Sequence, residues 1–279
     1  MHTDTTLLRG AGLPDIDLAR ILAEEPCPLL FATVSGAHLY GFPSRDSDVD
    51  LRGVHVLPPE DLVGLRQPEE TRSRMWDHDG VEMDLVTHDL RNFVRLMLKP
   101  NGYVLEQLLS PLIVHTTSLH AELTALVPTV LTRHHAHHYR GFAGTQWRLF
   151  ERTGELKPLL YTFRALLTGI HLMRTGTLLA HLPTLIGEVP APAGLPALIE
   201  AKAGAEHGAA HMVDAASAAR DVEALHAVLD EAQAESRLAD TPSGFDALHD
   251  LVVRVRLGES GLLRPGGGNP AVREASGQL

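Results

Sequence analysis

A chain of 279 residues with 44% apolar content has enough material for one large or two ordinary domains, which excludes global disorder. Its formal net charge of −11 excludes a protein that coats long nucleic acid, and points instead to a small substrate or to contact with a nucleic-acid end. Cys27 is the single cysteine, so an internal disulfide and a thiolate metal site are excluded, while the polar start and the lack of a long apolar run predict no membrane span and a cytoplasmic setting.

In chain order, residues 15–23 carry helical spacing at Ile16, Ala19, Ile21 and Leu22, with Pro26 and Pro28 beyond the end. Residues 29–34 are an apolar run that reads as a buried strand. Gly36 then opens a tight turn into one or two helical turns, and such a corner aims free backbone N–H groups at an anion. Gly41 leaves room for a ligand or another backbone. Residues 48–57 read as a strand with Asp48 and Asp50 on one face and Val49 and Leu51 on the other. Two carboxylates on one rigid strand are a natural seat for hard divalent cations. Pro58-Pro59 ends this strand, and residues 60–65 form a brief helical turn.

A hairpin follows. Residues 71–76 and 81–87 are its strands, and Asp79-Gly80 is its turn. On the return strand Glu82, Asp84 and Val86 share one face, with Met83 and Leu85 opposite. Residues 89–99 form an amphipathic helix with Leu90, Phe93, Val94 and Met97 on its stripe. A short helix over 103–109 and an edge strand over 112–115 complete a first domain, residues 1–117. Glu106 lies in a leucine-rich segment and reads as a core or surface residue without a role.

From Ser118 the pattern is helical, near 118–127, 128–153, 155–175, 194–206 and 210–236, with breaks at Pro128, Gly154 and Gly176. This gives an all-α second domain, residues 118–263, and a flexible tail, 264–279. Lys157, Tyr161 and Arg164 lie at i, i+4 and i+7 and so share a helix face. His134 and His138 are also i, i+4. No His-Glu-x-x-His pattern accompanies them, so they read as a solvated helix start rather than a metal site.

The run Gly-Ala-His-Leu-Tyr-Gly-Phe from Gly36, followed by Ser-Asp-Val-Asp-Leu-Arg-Gly-Val from Ser47, resembles the signature of the polymerase-β nucleotidyltransferase superfamily. It looks most like the branch associated with RNA-repair ligases. The resemblance implies an α/β (α+β) core with a small mixed sheet, followed by an all-α domain that closes over the substrate. It implies transfer of a nucleoside monophosphate from an NTP to an acceptor hydroxyl, with an RNA terminus as acceptor, and an association with an RNA ligase. It also implies two Mg2+ ions, or Mn2+ in their place, on Asp48 and Asp50, with Asp84 completing the acceptor-side site and Glu82 in reserve. The nucleotide's phosphates would meet Gly36, Ala37 and Gly41, and the helix of Lys157, Tyr161 and Arg164 would close over it. Lys202 matches a less specific position. Arg52 reads as a lock on the acidic pair. The superfamily places Ser where this chain has Ala37, which supports a rival reading: a non-catalytic, antitoxin-like nucleotide-binding or regulatory module.

Overall fold

The computed structural model describes residues 5–63, 65, 67–204 and 214–258; the expected tail, 264–279, lies outside them. Five strands, β1 (Leu29–Val34), β2 (Val49–His55), β3 (Thr71–His78), β4 (Val81–Asp89) and β5 (Ile113–Thr116), form one mixed sheet in the order β3-β4-β2-β1-β5. The apolar strand β1 is buried along its whole length and pairs antiparallel with both β2 and β5. β3 and β4 are the expected hairpin. Asp79 and Gly80 turn it with φ of 54° and 85°, the left-handed pair that a two-residue hairpin loop requires. β2 and β4 run parallel, and their register sets Asp50 opposite Asp84 and Arg52 opposite Val86.

The early helices are α1 (Thr5–Gly10), α2 (Leu18–Ala23), α3 (Gly36–Tyr40), α4 (Pro59–Val63), α5 (Leu90–Met97) and α6 (Gly102–Leu108). In α5 the expected stripe of Leu90, Phe93, Val94 and Met97 is buried, and the Asp89 side chain caps the first turn by accepting from the Arg91 N–H. The later helices are α7 (Ser118–Val130), α8 (His135–Thr153), α9 (Leu156–Thr175), α10 (Leu182–Glu188), α11 (Leu195–Gly204), α12 (Ala215–Glu235) and α13 (Phe245–Arg256).

Pro128 does not break α7 where spacing suggested. It sits in the last turn, where the absent N–H costs a single backbone bond. Gly154 and Gly176 do end α8 and α9, each with left-handed φ. α9 is the hub of the helical half. It is apolar on nearly every side and packs against α8, α10, α11 and α12. α13 returns to the sheet, where Arg256 Nη2 donates to both oxygens of fully buried Asp89 at 2.6 and 2.5 Å. One apolar core runs unbroken from Leu18 to Val255, so sheet and helices are packed as a unit. Among the described residues no helix is long and apolar enough to cross a membrane.

Candidate active site

Asp50 and Asp84 meet because β2 and β4 are neighbours in parallel register. A single arginine holds them. Arg52 Nη2 donates to Asp50 Oδ1 and to Asp84 Oδ2, both at 2.7 Å. Its Nη1 donates to the Leu51 and Asp84 carbonyls at 2.9 and 2.8 Å, and its Nε to the Tyr103 hydroxyl at 2.8 Å. All five guanidinium donors are thereby used, which fixes the plane of the group and with it the two carboxylates. Burial works against the charge on Arg52, but Tyr103, Asp50 and Asp84 outweigh it and keep the group protonated. The structural lock expected of Arg52 therefore spans two strands rather than one.

Burial pushes the Asp50 carboxyl above the usual carboxylate range. Arg52 opposes this, Asp84 and Asp48 add to it, and Lys157 opposes it. Asp48 lies just before β2, half-buried, within the electrostatic reach of Asp50.

The corner before α3 is built around Asp50. The Ser35 N–H donates to the Asp50 carbonyl at 2.8 Å, and Gly36 has φ of 60°. A Cβ at Gly36 would stand 1.8 Å from Asp50 Oδ2, so only glycine lets the turn close against the carboxylate. Gly41 differs from expectation. Its φ of 82° caps α3, and the space a Cβ would take is filled by the His181 ring and Pro183, 2.4 and 2.7 Å away. The room at Gly41 thus serves protein packing. Ala37 is buried and does not line the cavity described next.

A cavity of about 530 Å³ opens beside Gly36 and Asp50. Tyr40, Tyr103, Phe142 and Tyr161 supply aromatic wall, with His138, Gln146 and Asn101 among the polar lining. Of the α9 stripe, Lys157 is exposed and within electrostatic reach of Asp50. Tyr161 is half-buried in an aromatic cluster, edge-on to Tyr40 and Phe42 at centroid distances of 5.5 and 5.4 Å. Arg164 is buried beneath them. Its Nη1 donates to Glu106 Oε1 while its plane lies 3.9 Å over the Tyr40 ring. The Tyr40 hydroxyl donates to Glu106 Oε2 at 2.9 Å. Equal helical spacing therefore hides unequal environments. Arg164 has its charge balanced inside the protein, and Lys157 is the cation left facing solvent.

The sequence reading assigned Glu106 no role and took His138 for part of a solvated helix start, though His138 is half-buried on the cavity wall; it passed over Tyr103, Phe142 and Gln146. His138, Phe142 and Gln146 recur at i, i+4 and i+8 on α8, the signal that would have gathered them. Within the histidine run, His135 is buried and bonded to Thr132, and His134 stacks on His137 with centroids 5.7 Å apart. Lys202 is buried too, donating to Ser44 Oγ at 2.9 Å in the loop that leads to Asp48.

Among the described residues no three His, Cys, Asp or Glu side chains converge on one point as a closed metal cage. That is compatible with Mg2+, which usually takes one or two carboxylates and completes its shell with water and substrate phosphates. Asp50 and Asp84 fit such a role, because each keeps one oxygen off Arg52.

A mixed sheet carrying paired carboxylates beside a glycine corner, backed by helices, is the architecture of the polymerase-β type. The chain belongs to the RNA repair pathway DNA polymerase beta family, whose description it matches over residues 14–254. It is 31% identical over 153 residues to an uncharacterized protein of Methanocaldococcus jannaschii, covering 53% of this chain and 61% of that one. It is 27% identical over 166 residues to an uncharacterized protein of Bacillus subtilis, covering 58% and 63%. The chain thus spans just over three fifths of the length of the curated relatives it matches. A solved nucleotidyltransferase-like protein from Exiguobacterium sibiricum aligns over 85% of this chain and 77% of its own, with 12% identity and a TM-score of 0.30.

Proposed function

We propose that this chain transfers a nucleoside monophosphate from an NTP to an acceptor hydroxyl, releasing pyrophosphate, and that the acceptor is an RNA terminus presented in a repair pathway alongside an RNA ligase, in the cytoplasm. The observation that carries the reading is the pairing of Asp50 with Asp84 across parallel strands, held by one arginine at the mouth of a cavity. Asp48, Asp50 and Asp84 are the residues that would hold Mg2+. When bound, the metal supplies charge neutralisation at the phosphates and lowers the pKa of the attacking hydroxyl.

The chain's own residues prepare that chemistry. Arg52 orients both carboxylates and holds them side by side despite their like charge. Gly36 lets the turn approach Asp50 closely enough for phosphate and carboxylate to share a cation. Lys157, exposed and within electrostatic reach of Asp50, would meet the phosphates from the helical side and offset the charge of the departing pyrophosphate. Ala37, where the superfamily carries serine, supports one alternative: a module that binds nucleotide without turning it over.

The test is incorporation of label from each of the four NTPs into mixed RNA ends with Mg2+. The wild type is expected to incorporate label, and Asp50→Asn and Asp84→Asn to lose it while keeping the circular dichroism spectrum. Nucleotide binding without incorporation into any RNA, protein or small-molecule acceptor would select the module instead.

A further inference from the structure

We infer that the cavity beside Gly36 and Asp50 is a nucleobase seat, in which Phe142 and Tyr161 supply the aromatic wall and Arg164 donates from the floor to an acceptor atom on the base edge. This rests on the transferase reading and adds to it which part of the nucleotide lies where.

The shape and chemistry of the walls carry the inference. The volume of about 530 Å³ lies within the roughly 300–1,000 Å³ of small-molecule pockets. Tyr161 meets Tyr40 and Phe42 edge-on, at interplanar angles of 86° and 76°. Those contacts hold its ring rigidly. The ring of Phe142 leans on the same cluster, 6.3 Å from Tyr161. Tyr103, anchored by its hydroxyl on Arg52, still exposes 38% of its surface at the rim. Flat apolar faces with a few fixed polar groups suit a neutral heteroaromatic ring.

The floor group is unusual. Arg164 lines the cavity, yet among the described residues only its Nη1 is hydrogen-bonded, to Glu106. Among the described residues its Nε is enclosed without an acceptor and its Nη2 has no hydrogen-bond partner, while the residue itself lines the cavity. Glu106 and Tyr40 pin the guanidinium, so a donor stands at a fixed place under the aromatic wall. His138 and Gln146 can each donate or accept, but a guanidinium can only donate. The base must therefore offer Arg164 a lone pair. Each of the four common bases carries such a lone pair, on a ring nitrogen or an exocyclic carbonyl, so the contact selects a ring with an acceptor on its edge over a purely apolar one.

The location selects the nucleotide's base rather than the acceptor's. Gly36 and Asp50, on the phosphate side, line the cavity, and Asp84, on the acceptor side, does not.

Binding of the four unphosphorylated nucleosides, measured by calorimetry without metal, tests this. All four should bind the wild type, and the riboside of indole, whose ring has no acceptor on its edge, more weakly. Phe142→Ala and Tyr161→Ala should each weaken binding about tenfold, the loss of one stacking surface. Asp84→Asn should bind nucleosides as the wild type does. Unchanged affinity in both aromatic variants would overturn the seat and leave the transferase reading standing. Indole riboside bound as tightly as the four natural nucleosides would overturn the Arg164 contact. Nucleoside binding by a wild type that incorporates no nucleotide into any acceptor would overturn the transferase reading and leave the seat standing.

Discussion

Replacing Gly36 by alanine attacks the geometry that joins the corner to Asp50. Two costs add. An L residue at φ of 60° gives up about 1 kcal/mol of backbone energy. The new Cβ would stand 1.8 Å from Asp50 Oδ2. Ordinary contact needs about 3.5 Å, so the carboxylate must retreat by roughly 1.5 Å. That retreat pulls Oδ1 from Arg52 Nη2, now 2.7 Å away. A hydrogen bond between charged groups contributes about 1.5–3 kcal/mol. The sum, about 2.5–4 kcal/mol, should lower Tm by roughly 5–16 °C for a chain of this size. Gly154→Ala is the matched control, because Gly154 has φ of 67° and nothing within 4 Å of a built Cβ. It bears only the backbone cost, about 1 kcal/mol. Differential scanning calorimetry of both variants, with nucleotide incorporation measured beside it, separates the terms. Equal Tm shifts for the two, with wild-type activity in Gly36→Ala, would refute the reasoning.

Arg164→Met leaves the Glu106 carboxylate buried without its cation and should cost about 3–5 kcal/mol in urea unfolding, of which the double variant with Glu106→Gln should recover a substantial part; equal losses in single and double variants would contradict the pairing. Burial lowers the pKa of His55 and of His135 to about 4, so between pH 6.5 and 4 the unfolded chain binds protons that the folded chain refuses. Stability should fall with pH across that window, by up to about 3 kcal/mol for each group, and a flat urea midpoint between pH 7 and 5 would contradict it. Lys157→Ala should leave Tm unchanged, because the side chain is exposed, while raising the KM for the NTP about tenfold; an unchanged KM would remove Lys157 from the site.

Local chemistry made much of the fold legible. Asp79-Gly80 specifies a turn with two left-handed residues whatever surrounds it, and both are left-handed. Period-two alternation placed Asp84 away from Met83 and Leu85, and those two are buried while Asp84 is not. What alternation cannot supply is register between strands distant in sequence. The facing of Asp50 and Asp84 is a property of the assembled sheet.

The α9 stripe shows the opposite limit. Lys157, Tyr161 and Arg164 have the same periodicity as an exposed face, yet the helix lies at the centre of the helical half. Its run of Leu159, Leu160, Phe163, Leu166, Leu167 and Ile170 covers more than one face, the mark of a helix buried all round. Arg164 then needed a carboxylate, and Glu106 in its leucine-rich segment was that partner. α10 and α13 escaped notice because the first is one short Pro-initiated helix and the second lies beyond the segments with clear spacing.

The most direct measurement is anomalous diffraction from crystals grown with Mn2+ and a non-hydrolysable NTP analogue. Manganese should appear against Asp50 and Asp84, with the analogue's phosphates beside Gly36. Manganese away from both carboxylates, or a nucleotide bound on another face of the protein, would contradict the proposed chemistry.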